Sequence, residues 1–464
     1  MKIRKESDSF GETSIPIDML YGPQTARSLM FFSSSGLEEN TMPKDIIFIL
    51  TLIKKCAAKS NKDLGLLSSE IADLIVYASN KILSEDLSKH FPLKVWQTGS
   101  GTQTNMNVNE VISNIASNYS KKFLGCRIKI HPNDHVNMSQ SSNDVFPTAM
   151  HIAAVMSIKN KLIPSLNYLK EVLIEKSKEF IHIRKIGRTH LMDALPISLG
   201  QEFSGYVDQI EKNIERIGFC LSHLYELAIG ATAVGSSLNC PKGFVEKIIS
   251  YLNQETKENF FPASNYFSAL SCHDSLVFMH SAFKTLACSL FKIATDLSFL
   301  CSGPRCGLNE IFFPENEQGS SIMPGKINPT QCEMLLMVCC QILGNDEAIT
   351  LGGSRGNFEL NIFKPMIIYN FLNTVYVLSG SLQSFAKFFV SGLRPNIAQL
   401  THNLNESLML VTALSPKIGY EKASKIALKA YHENLSLKEA CLALGFLEEQ
   451  EFDILIEKAK ETLY

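Results

Sequence analysis

Several features that define other classes of protein are missing from this sequence. Its 44 basic and 46 acidic residues leave a net charge of −2, and no long run carries charge of one sign. Because nucleic acids and anionic membranes attract basic surfaces, neither partner is expected. No run of 18 apolar residues occurs, so no membrane-spanning helix is expected either. The first eight residues lack the apolar core of a secretory signal, and we expect a cytoplasmic protein.

Metal-binding and dinucleotide-binding patterns are missing too. The 12 cysteines form no CxxC pair and no cluster with histidine at metal-ligand spacing. Cys339 and Cys340 lie within an apolar run, so reduced core thiols are favoured over disulfides or a zinc site. A glycine-rich turn between a strand and a helix, which would bind a dinucleotide, does not occur. These absences disfavour a zinc site and a dinucleotide cofactor.

The clearest positive feature is a regular apolar pattern in a long chain. With 464 residues, 45% of them apolar, the chain is too long for one compact core, and about two to four domains are expected. In three stretches apolar residues recur at alternating spacings of three and four, which predicts long helices rather than strands. The stripes are Phe203, Val207, Ile210, Ile214, Ile217, Leu221 and Leu224; Leu276, Met279, Phe283, Leu286, Leu290, Ile293, Leu297 and Leu300; and Ile368, Phe371, Val375, Leu378, Leu382, Phe385 and Phe389.

Other parts of the chain have weaker patterns. Residues 43–83 and 147–180 have helical spacing, and a helix of about 30 residues is about 45 Å long, which predicts an elongated bundle. Residues 1–40 are rich in serine, glycine and proline and predict a loop-dominated arm. The composition changes after Pro395, and the tail predicts a small helical domain with a capping box that begins at Ser436.

The stretch 319–333, GSSIMPGKINPTQCE, has the character of an anion site. Its opening glycine and two serines are small enough for their amides to approach a ligand closely. Lys326 supplies a fixed positive charge, and Asn328 a neutral donor and acceptor. Pro329 is predicted to be the first residue of a helix, whose free amides would point back toward these two side chains. The alternative interpretation is a flexible loop before a helix.

Two earlier segments are also small, polar and followed by a predicted helix. Residues 96–110 combine glycines and hydroxyl residues with several asparagines, and residues 139–147 place Ser141, Ser142 and Asn143 before an apolar run. Asp144 is predicted as the N-cap of that helix, with Pro147 in its first turn. One polar helix start can be a simple capped loop. Three of them, all rich in donors, predict one shared anionic ligand.

Two further segments contain a histidine that could take part in chemistry. His131 opens the polar turn His-Pro-Asn-Asp, where a purely structural role is the alternative. His190 lies in the segment 187–196, which is predicted as a short loop between two long helices. Loops on a rigid scaffold often carry function, and imidazole exchanges a proton near neutral pH. A lone histidine can nevertheless be structural.

Taken together, these segments resemble the fumarase/aspartase superfamily, and within it the class II fumarate hydratases. The resemblance covers nearly the whole chain. It is carried by WQTGSGTQTNMN at 96–107, HPNDHVNMSQSSNDVFPTAMH at 131–151, GRTHLMDALP at 187–196, GPRCGLNEIFFPENEQGSSIMPGKINPTQCE at 303–333 and GNFELNIFKPM at 356–366.

The resemblance implies an all-α subunit of three domains and a homotetramer whose active sites are shared between subunits. The domains would be residues 1–140, mainly helical; 141–395, the long-helix bundle with the signature loop; and 396–464, the small helical domain. The substrate would be a small dicarboxylate, fumarate or malate. The reaction would be the reversible hydration of fumarate in the tricarboxylic acid cycle, without a metal and without a cofactor.

The resemblance also implies a role for each site residue. The site would comprise the catalytic residues Ser320 and His190; the substrate-binding residues Ser100, Gly101, Thr102, Ser141, Ser142, Asn143, Thr189, Ser321, Lys326, Ile327 and Asn328; Glu333, which would orient His190; and a second carboxylate site of His131, Pro132, Asn133 and Asp134. The chain departs from the family at Ile128, where the family has a basic residue, so no contact is assigned there.

Two alternatives to a fumarate hydratase remain. Aspartate ammonia-lyase, or aspartase, belongs to the same superfamily, but aspartases typically have glutamine after the threonine where this chain has His190. A superfamily member recruited as a structural protein would be expected to lose some of Ser320, Lys326, Asn328 or His190. All four are present.

Overall fold

The computed structural model describes residues 2–32, 40–123, 125 and 128–461. The chain is 65% helical, which confirms the predicted all-α class. The helices of the described residues are α1 Pro23–Phe31, α2 Lys44–Asp63, α3 Ser69–Ser84, α4 Thr102–Phe123, α5 Ser142–Ser157, α6 Ile163–Glu179, α7 Leu199–Leu221, α8 Phe244–Thr256, α9 Tyr266–Ser271, α10 Asp274–Leu300, α11 Thr330–Gly353, α12 Lys364–Phe388, α13 Ile397–Glu406, α14 Ser415–Ile418, α15 Tyr420–Glu433, α16 Leu437–Ala443 and α17 Glu449–Glu461.

Strands occur only as short pairs in the described part of the chain. They are β1 Ile3–Asp8, β2 Gly11–Pro16, β3 Arg184–Thr189, β4 Met192–Ser198, β5 Glu226–Leu227, β6 Phe261–Pro262, β7 Ile311–Phe312, β8 Gly356–Asn357, β9 Leu360–Asn361 and β10 Arg394–Pro395. The pairs β1–β2, β3–β4, β7–β10 and β8–β9 are antiparallel, and β5–β6 is parallel.

The chain forms two compact units, each built from separate stretches. The first unit comprises residues 1–163, 215–285 and 340–378, and the second comprises 164–214, 286–339 and 379–464. The predicted division into domains at 140 and 395 remains a prediction.

The predicted apolar stripes form the buried faces of long helices. Every residue of the α10 stripe and every residue of the stripe along α12 and Phe389 is buried, as are Phe203, Ile210, Ile217 and Leu221 of α7. Polar side chains join the helices within each unit. In the first, the buried His280 of α10 lies 2.9 Å from Asp346 and 2.9 Å from Thr374. The spacing of three and four therefore predicted the buried faces correctly.

The N-terminal segment differs from the predicted loop-dominated arm. Residues 3–16 form the hairpin β1–β2, with Ile3 opposite Pro16 and Asp8 opposite Gly11. The Arg4 guanidinium donates to the carbonyls of Pro16, Met19 and Tyr21 and so holds the chain that follows the hairpin. Residues 33–39 lie outside the described residues.

The segment 187–196 also differs from its predicted loop. Its residues belong to the hairpin β3–β4, in which Arg184 pairs with Ser198 and Thr189 with Met192. Ile186 packs into an apolar cluster with Leu404, Leu414 and Ile426 of the C-terminal helices. In those helices Ser436 and Glu439 form the predicted capping box. The hairpin is thus attached to the small C-terminal helical part of the second unit.

Two of the described helices, α10 and α11, could cross a membrane by length and composition alone. This is weak evidence, because the core helices of soluble proteins pass the same test. Half of the apolar window of α10 and a third of that of α11 are buried within the protein.

Candidate active site

The signature loop directs two backbone amides at one hydroxyl. The Ser320 Oγ accepts hydrogen bonds from the amides of Met323 at 3.0 Å and Ile322 at 3.3 Å. The serine is half-buried, and Ser321 beside it is exposed. Because an oxygen that accepts two amide donors is a better place for negative charge, this geometry stabilises an alkoxide at Ser320.

The other polar groups of the loop hold one another in place. The Lys326 Nζ donates to the Asn328 Oδ1 at 2.7 Å, and the Asn328 Nδ2 donates to the Gly319 carbonyl at 2.7 Å. The Gly319 amide closes the loop by donating to the Lys326 carbonyl at 2.8 Å. A Cβ at Gly319 would lie 2.8 Å from that carbonyl oxygen, so only glycine fits. The loop backbone therefore fixes the positions of the Lys326 ammonium group and the Asn328 side-chain amide.

The loop ends where α11 begins, close to the predicted helix start. Pro329 immediately precedes α11, Ile327 is half-buried and Glu333 is exposed in the first turn. The Thr330 hydroxyl donates to Glu317 at 2.6 Å. The N-terminal amides of α11 thus follow directly after Lys326 and Asn328 in the chain, as the anion-site prediction requires.

Thr189 and His190 lie at the exposed tip of the β3–β4 hairpin. His190 and Leu191 adopt left-handed backbone conformations, with φ of 56° and 63°. Such conformations cost bulky residues of order 1–3 kcal/mol and persist where the surrounding structure fixes them, often at functional sites. The tip therefore projects its two candidate residues into solvent at a defined geometry.

A buried cluster of charges fixes the base of this hairpin. Glu310 is fully buried, and its carboxylate pairs with Lys185 at 2.9 Å and with Arg188. Lys185 also pairs with Glu202 at 2.7 Å, and the Asn403 amide donates to Glu310 at 3.1 Å. Burial raises the pKa of the Glu310 carboxyl, but the hydrogen bond from Arg188 and the charge of Lys185 outweigh burial and hold that pKa below its usual range.

His190 and Glu333 belong to the same unit, but the described residues of a single chain show no hydrogen bond or ion pair between them. The orienting role of Glu333 therefore stays a prediction, one that depends on assembly with other subunits.

The remaining predicted substrate-binding residues lie in the first unit, at the starts of two helices. Gly101 precedes α4 with φ of 78°, and a Cβ there would lie 2.3 Å from the Phe146 ring of α5. The Ser100 and Thr102 hydroxyls are 2.9 Å apart at the start of α4. The close packing of Gly101 against Phe146 brings the start of α4 against α5, and the shared anionic ligand stays a prediction.

The start of α5 differs by three residues from the predicted N-cap. Ser141, not Asp144, is the N-cap, and its hydroxyl accepts the Asn143 amide at 3.2 Å. Asp144 is buried and accepts the amides of Ser141, Gly230 and Thr232 at 2.9–3.0 Å. The prediction was wrong because the Asp144 side chain reaches back to Ser141 in a capping box. Burial raises the pKa of Asp144 to about 6 despite these hydrogen bonds, which lower it.

The side chains of Ser142 and Asn143 are held by different partners at this helix start. The Ser142 hydroxyl accepts from the Asn105 Nδ2 of α4 at 2.8 Å. The Asn143 Nδ2 donates to the Ala233 carbonyl at 2.8 Å. Both residues are half-buried, and their positions are therefore set before any ligand binds.

The predicted second carboxylate site forms a compact turn. His131 caps the single π-helical turn Pro132–Val136, and its Nδ1 accepts the Asp134 amide at 3.1 Å. The same nitrogen lies 3.1 Å from the Asp134 carboxylate, while Asn133 and Asp134 are exposed. The hydrogen bonds of His131 within the turn support the structural alternative, and a binding role stays a prediction.

Sequence reasoning missed two sets of buried residues that support the site. One is the cluster of Glu310, Lys185 and Arg188 beneath the hairpin. The other includes Lys54 of α2, which is fully buried beneath the start of α5. The lysine follows Leu52 and Ile53 in an apolar helical run, and a charged residue on such a face could have indicated a buried polar network.

Comparison with known proteins identifies the class to which this fold and site belong. Residues 11–344 match the family model described as Lyase, and residues 410–460 match the model described as Fumarase C C-terminus. The protein is thus a lyase.

Individual relatives identify the family within the lyases to which the chain belongs. The class II fumarate hydratase of Chlamydia pneumoniae is 64% identical over 454 residues, which cover 98% of each chain. That of Thermosynechococcus vestitus is 53% identical and covers 97% of this chain and 96% of its own. The crystal structure of class II fumarase from Schistosoma mansoni superposes with a TM-score of 0.96 at 43% identity and covers 99% of each chain. The chain belongs to the class II fumarate hydratase family, as predicted.

Proposed function

We propose that this protein adds water reversibly across the double bond of fumarate to give (S)-malate, as a cytoplasmic enzyme of the tricarboxylic acid cycle. The observation that carries the proposal is the geometry of Ser320, whose oxygen accepts two amides in the same loop as Lys326 and Asn328. No resident cofactor takes part in the proposed reaction.

The chemical difficulty of this reaction is the charge that develops on the substrate. In the malate direction a base removes a proton from carbon 3, and charge accumulates on the adjacent carboxylate to give a dianionic aci-acid. Ser320 acts as the base, because its alkoxide receives the amides of Ile322 and Met323. Lys326 and Asn328 hold the carboxylates, and their contribution grows as the charge grows.

The remaining site residues complete the carboxylate cradle and manage the second proton. Thr102 and the hydroxyls at the start of α5 donate to the substrate, beside the free amides of two helices. Thr189 binds substrate, and His190, oriented by Glu333, carries the proton of the water or leaving hydroxyl. The segment His131–Asp134 forms the second carboxylate site.

These residues meet in a homotetramer whose active sites are shared between subunits. The long helices support this assembly, because they leave large apolar side chains exposed to solvent in a single chain. The exposed residues include Phe219 of α7, Phe278, Phe291 and Phe299 of α10 and Met337 of α11. The exposed tip that carries His190 supports sharing, since such a tip is free to enter a neighbour's site. In that assembly the domains are residues 1–140, 141–395 and 396–464.

A paired substrate assay tests the proposed function. Purified protein is supplied with (S)-malate and, separately, with aspartate, and fumarate is followed by its ultraviolet absorbance. We expect fumarate from malate alone, and turnover that disappears in Ser320→Ala. Fumarate from aspartate alone would make the protein an aspartase.

A further inference from the structure

Lys54 is a buried cation that the proposed mechanism does not use. Its side chain is fully buried in α2, and its Nζ donates to the Asn137 Oδ1 at 2.7 Å and the Gln140 Oε1 at 3.0 Å. Burial lowers the pKa of Lys54 to about 7, although the charge of Asp144 raises it. Burying an ammonium group is costly unless its hydrogen bonds are satisfied. A lysine retained in this position calls for a role beyond packing.

An ammonium group fixes the direction of the hydrogen bonds around it. In its charged form, which the nearby Asp144 favours, Lys54 has three donors and no acceptor, so the atom of Asn137 that faces it is the oxygen. That oxygen also accepts from the Asn105 Nδ2 at 3.2 Å and the Asn109 Nδ2 at 3.1 Å. The Asn137 Nδ2 donates in turn to the Gln140 carbonyl at 3.1 Å. Lys54 therefore forces Asn105 to present its amide nitrogen, not its oxygen, on this side.

The hydrogen-bond direction that Lys54 sets also determines the hydrogen bond to Ser142 of the candidate site. The same Asn105 Nδ2 donates to the Ser142 Oγ at 2.8 Å. Since this nitrogen has only donors, the serine oxygen must accept from it, and the hydroxyl proton must point elsewhere. The structure shows no acceptor for that proton among the described residues. A ligand carboxylate would supply one.

We propose that Lys54 is a positioning residue that acts through Asn137 and Asn105 and keeps the Ser142 hydroxyl a donor toward the substrate carboxylate. The inference rests on the proposed function, in which Ser142 binds a dicarboxylate. A serine hydroxyl can accept as well as donate, and a hydroxyl free to turn would lose part of its preference for an anion. The directed chain removes that freedom before the substrate arrives.

Michaelis constants for (S)-malate test the chain of hydrogen bonds. Lys54→Met removes the donors and keeps the aliphatic stem, and we expect KM to rise roughly 10-fold, the effect of losing a hydrogen bond to a charged group. The carboxylate is present in the ground state as well as the transition state, so kcat should fall far less than KM rises. Ser142→Ala should raise KM by a similar factor. The double variant should match Ser142→Ala alone, because Lys54 acts through that serine.

Two further variants keep the test sharp. Lys176→Met removes another buried lysine, which donates to Glu179 at 2.8 Å and to the Leu393 carbonyl at 3.0 Å, and should leave KM unchanged. Asn105→Leu breaks the chain one step later and replaces Lys54→Met if that variant does not fold. Each variant is compared with the wild type in secondary structure and Tm, which a purely structural role of Lys54 would change without the coupled change in KM.

The possible results separate this inference from the proposed function. If Ser142→Ala raises KM but Lys54→Met and Asn105→Leu do not, Lys54 has no positioning role while the proposed function stands. Additive effects in the double variant would also overturn the inference. If the wild type does not convert malate, the proposed function itself is wrong.

Discussion

Ser320 is a weak base in water, and its surroundings must account for any catalysis. The amides of Ile322 and Met323 donate to its oxygen, and one such donor to a developing charge is worth roughly 3–4 kcal/mol, or 10²–10³ in rate. Removing the hydroxyl removes the atom at which these donors act. We expect Ser320→Ala to lose at least that factor in kcat while remaining folded, measured by fumarate absorbance on the purified variant.

A serine elsewhere in the same unit serves as the control. Ser391 is exposed, and its hydroxyl donates only to the Lys387 carbonyl at 2.7 Å in the described structure. Ser391→Ala should keep the wild-type kcat. Turnover of Ser320→Ala near that of the wild type would remove Ser320 from the catalytic residues.

Gly319 makes a second prediction at the scale of one residue. A Cβ there would lie 2.8 Å from the Lys326 carbonyl oxygen and 2.9 Å from the Asn328 Cγ, so Gly319→Ala must displace both Lys326 and Asn328. We expect kcat/KM for malate to fall by about 100-fold, since small displacements in a preorganised site are costly. Residues 321–326 of the loop are exposed, so Tm should change little.

Gly65 provides the opposite case. Its φ is 71°, but no atom lies within 4 Å of a Cβ placed there. Gly65→Ala should lower stability by about 1 kcal/mol through backbone strain and leave kcat/KM unchanged. If Gly319→Ala lowered Tm like Gly65→Ala but kept full activity, close packing would not be what places Lys326 and Asn328.

At the scale of elements, the β3–β4 hairpin depends on one buried carboxylate. The pKa of Glu310 lies below its ordinary value of 4.5 in the folded protein, where Arg188 and Lys185 surround it. A lowered folded-state pKa gives stability that is present above the unfolded value and is lost as the pH falls through the folded one. Removing one partner of a buried ion pair costs about 3–5 kcal/mol.

The lowered pKa and the buried ion pairs of Glu310 together predict a pH-dependent effect of Glu310→Gln. At pH 7 the variant should have a markedly lower Tm than the wild type, and the difference should shrink as the pH is lowered below about 4.5. His190 lies at the tip of the same hairpin, so kcat should fall as well. Tm values are measured at equal protein concentration, because assembly contributes to stability.

Glu433→Gln is the matched control for this prediction. Glu433 pairs with Lys429 one helical turn away on an exposed face of α15, and such pairs are worth less than about 1 kcal/mol. The Tm of Glu433→Gln should equal that of the wild type at every pH. A Tm difference for Glu310→Gln that stayed constant down to pH 3 would show that the pKa of Glu310 is not lowered in the folded protein.

The elements also show what could be predicted from the sequence. The α10 and α12 stripes were predictable, because helical spacing is a local property and a buried face repeats it at every turn. The β3–β4 hairpin was not, since its turn places His190 and Leu191 at positive φ, where glycine or asparagine would be the usual signal. The N-cap of α5 was missed by three residues because a capping box offers two plausible caps.

The polar segments 96–110, 139–147 and 319–333 were predictable because each leads into a helix start. The hydrogen bonds and ion pairs that hold these segments and the β3–β4 hairpin in place were not predictable. Lys54 and Asn137 are 83 residues apart, and Arg188 and Glu310 are 122 apart, so no local pattern connects them. Such pairs form only through tertiary packing, and a lysine in an apolar helix was the one visible sign.

At the scale of the whole molecule, the question is which chain supplies each catalytic group. Ser320 lies in a half-buried loop, whereas His190 lies at an exposed hairpin tip whose backbone is fixed by a buried cluster. The two side chains share no hydrogen bond among the described residues of one chain. In a tetramer with shared sites, Ser320 of one subunit would work with His190 of another.

Mixing two inactive variants tests this sharing directly. Ser320→Ala and His190→Asn are each expected to be inactive, and both keep every other site residue. If each active site takes these two residues from different subunits, random reassembly of an equal mixture should restore about a quarter of wild-type activity, since each position is intact with a chance of about one half. The mixture is dissociated and reassembled, and activity is measured against each variant treated alone.

The outcome depends on assembly and not on the strength of either catalytic group. Activity that stays at the level of the single variants, in tetramers shown to contain both chains, would place Ser320 and His190 of each site on one chain. The two variants treated alone are the control for contamination, because any wild-type protein in them would give activity without mixing. Recovery near a quarter would mean that the exposed hairpin tip acts in a neighbouring subunit, and it would account for the strained, solvent-facing turn at His190.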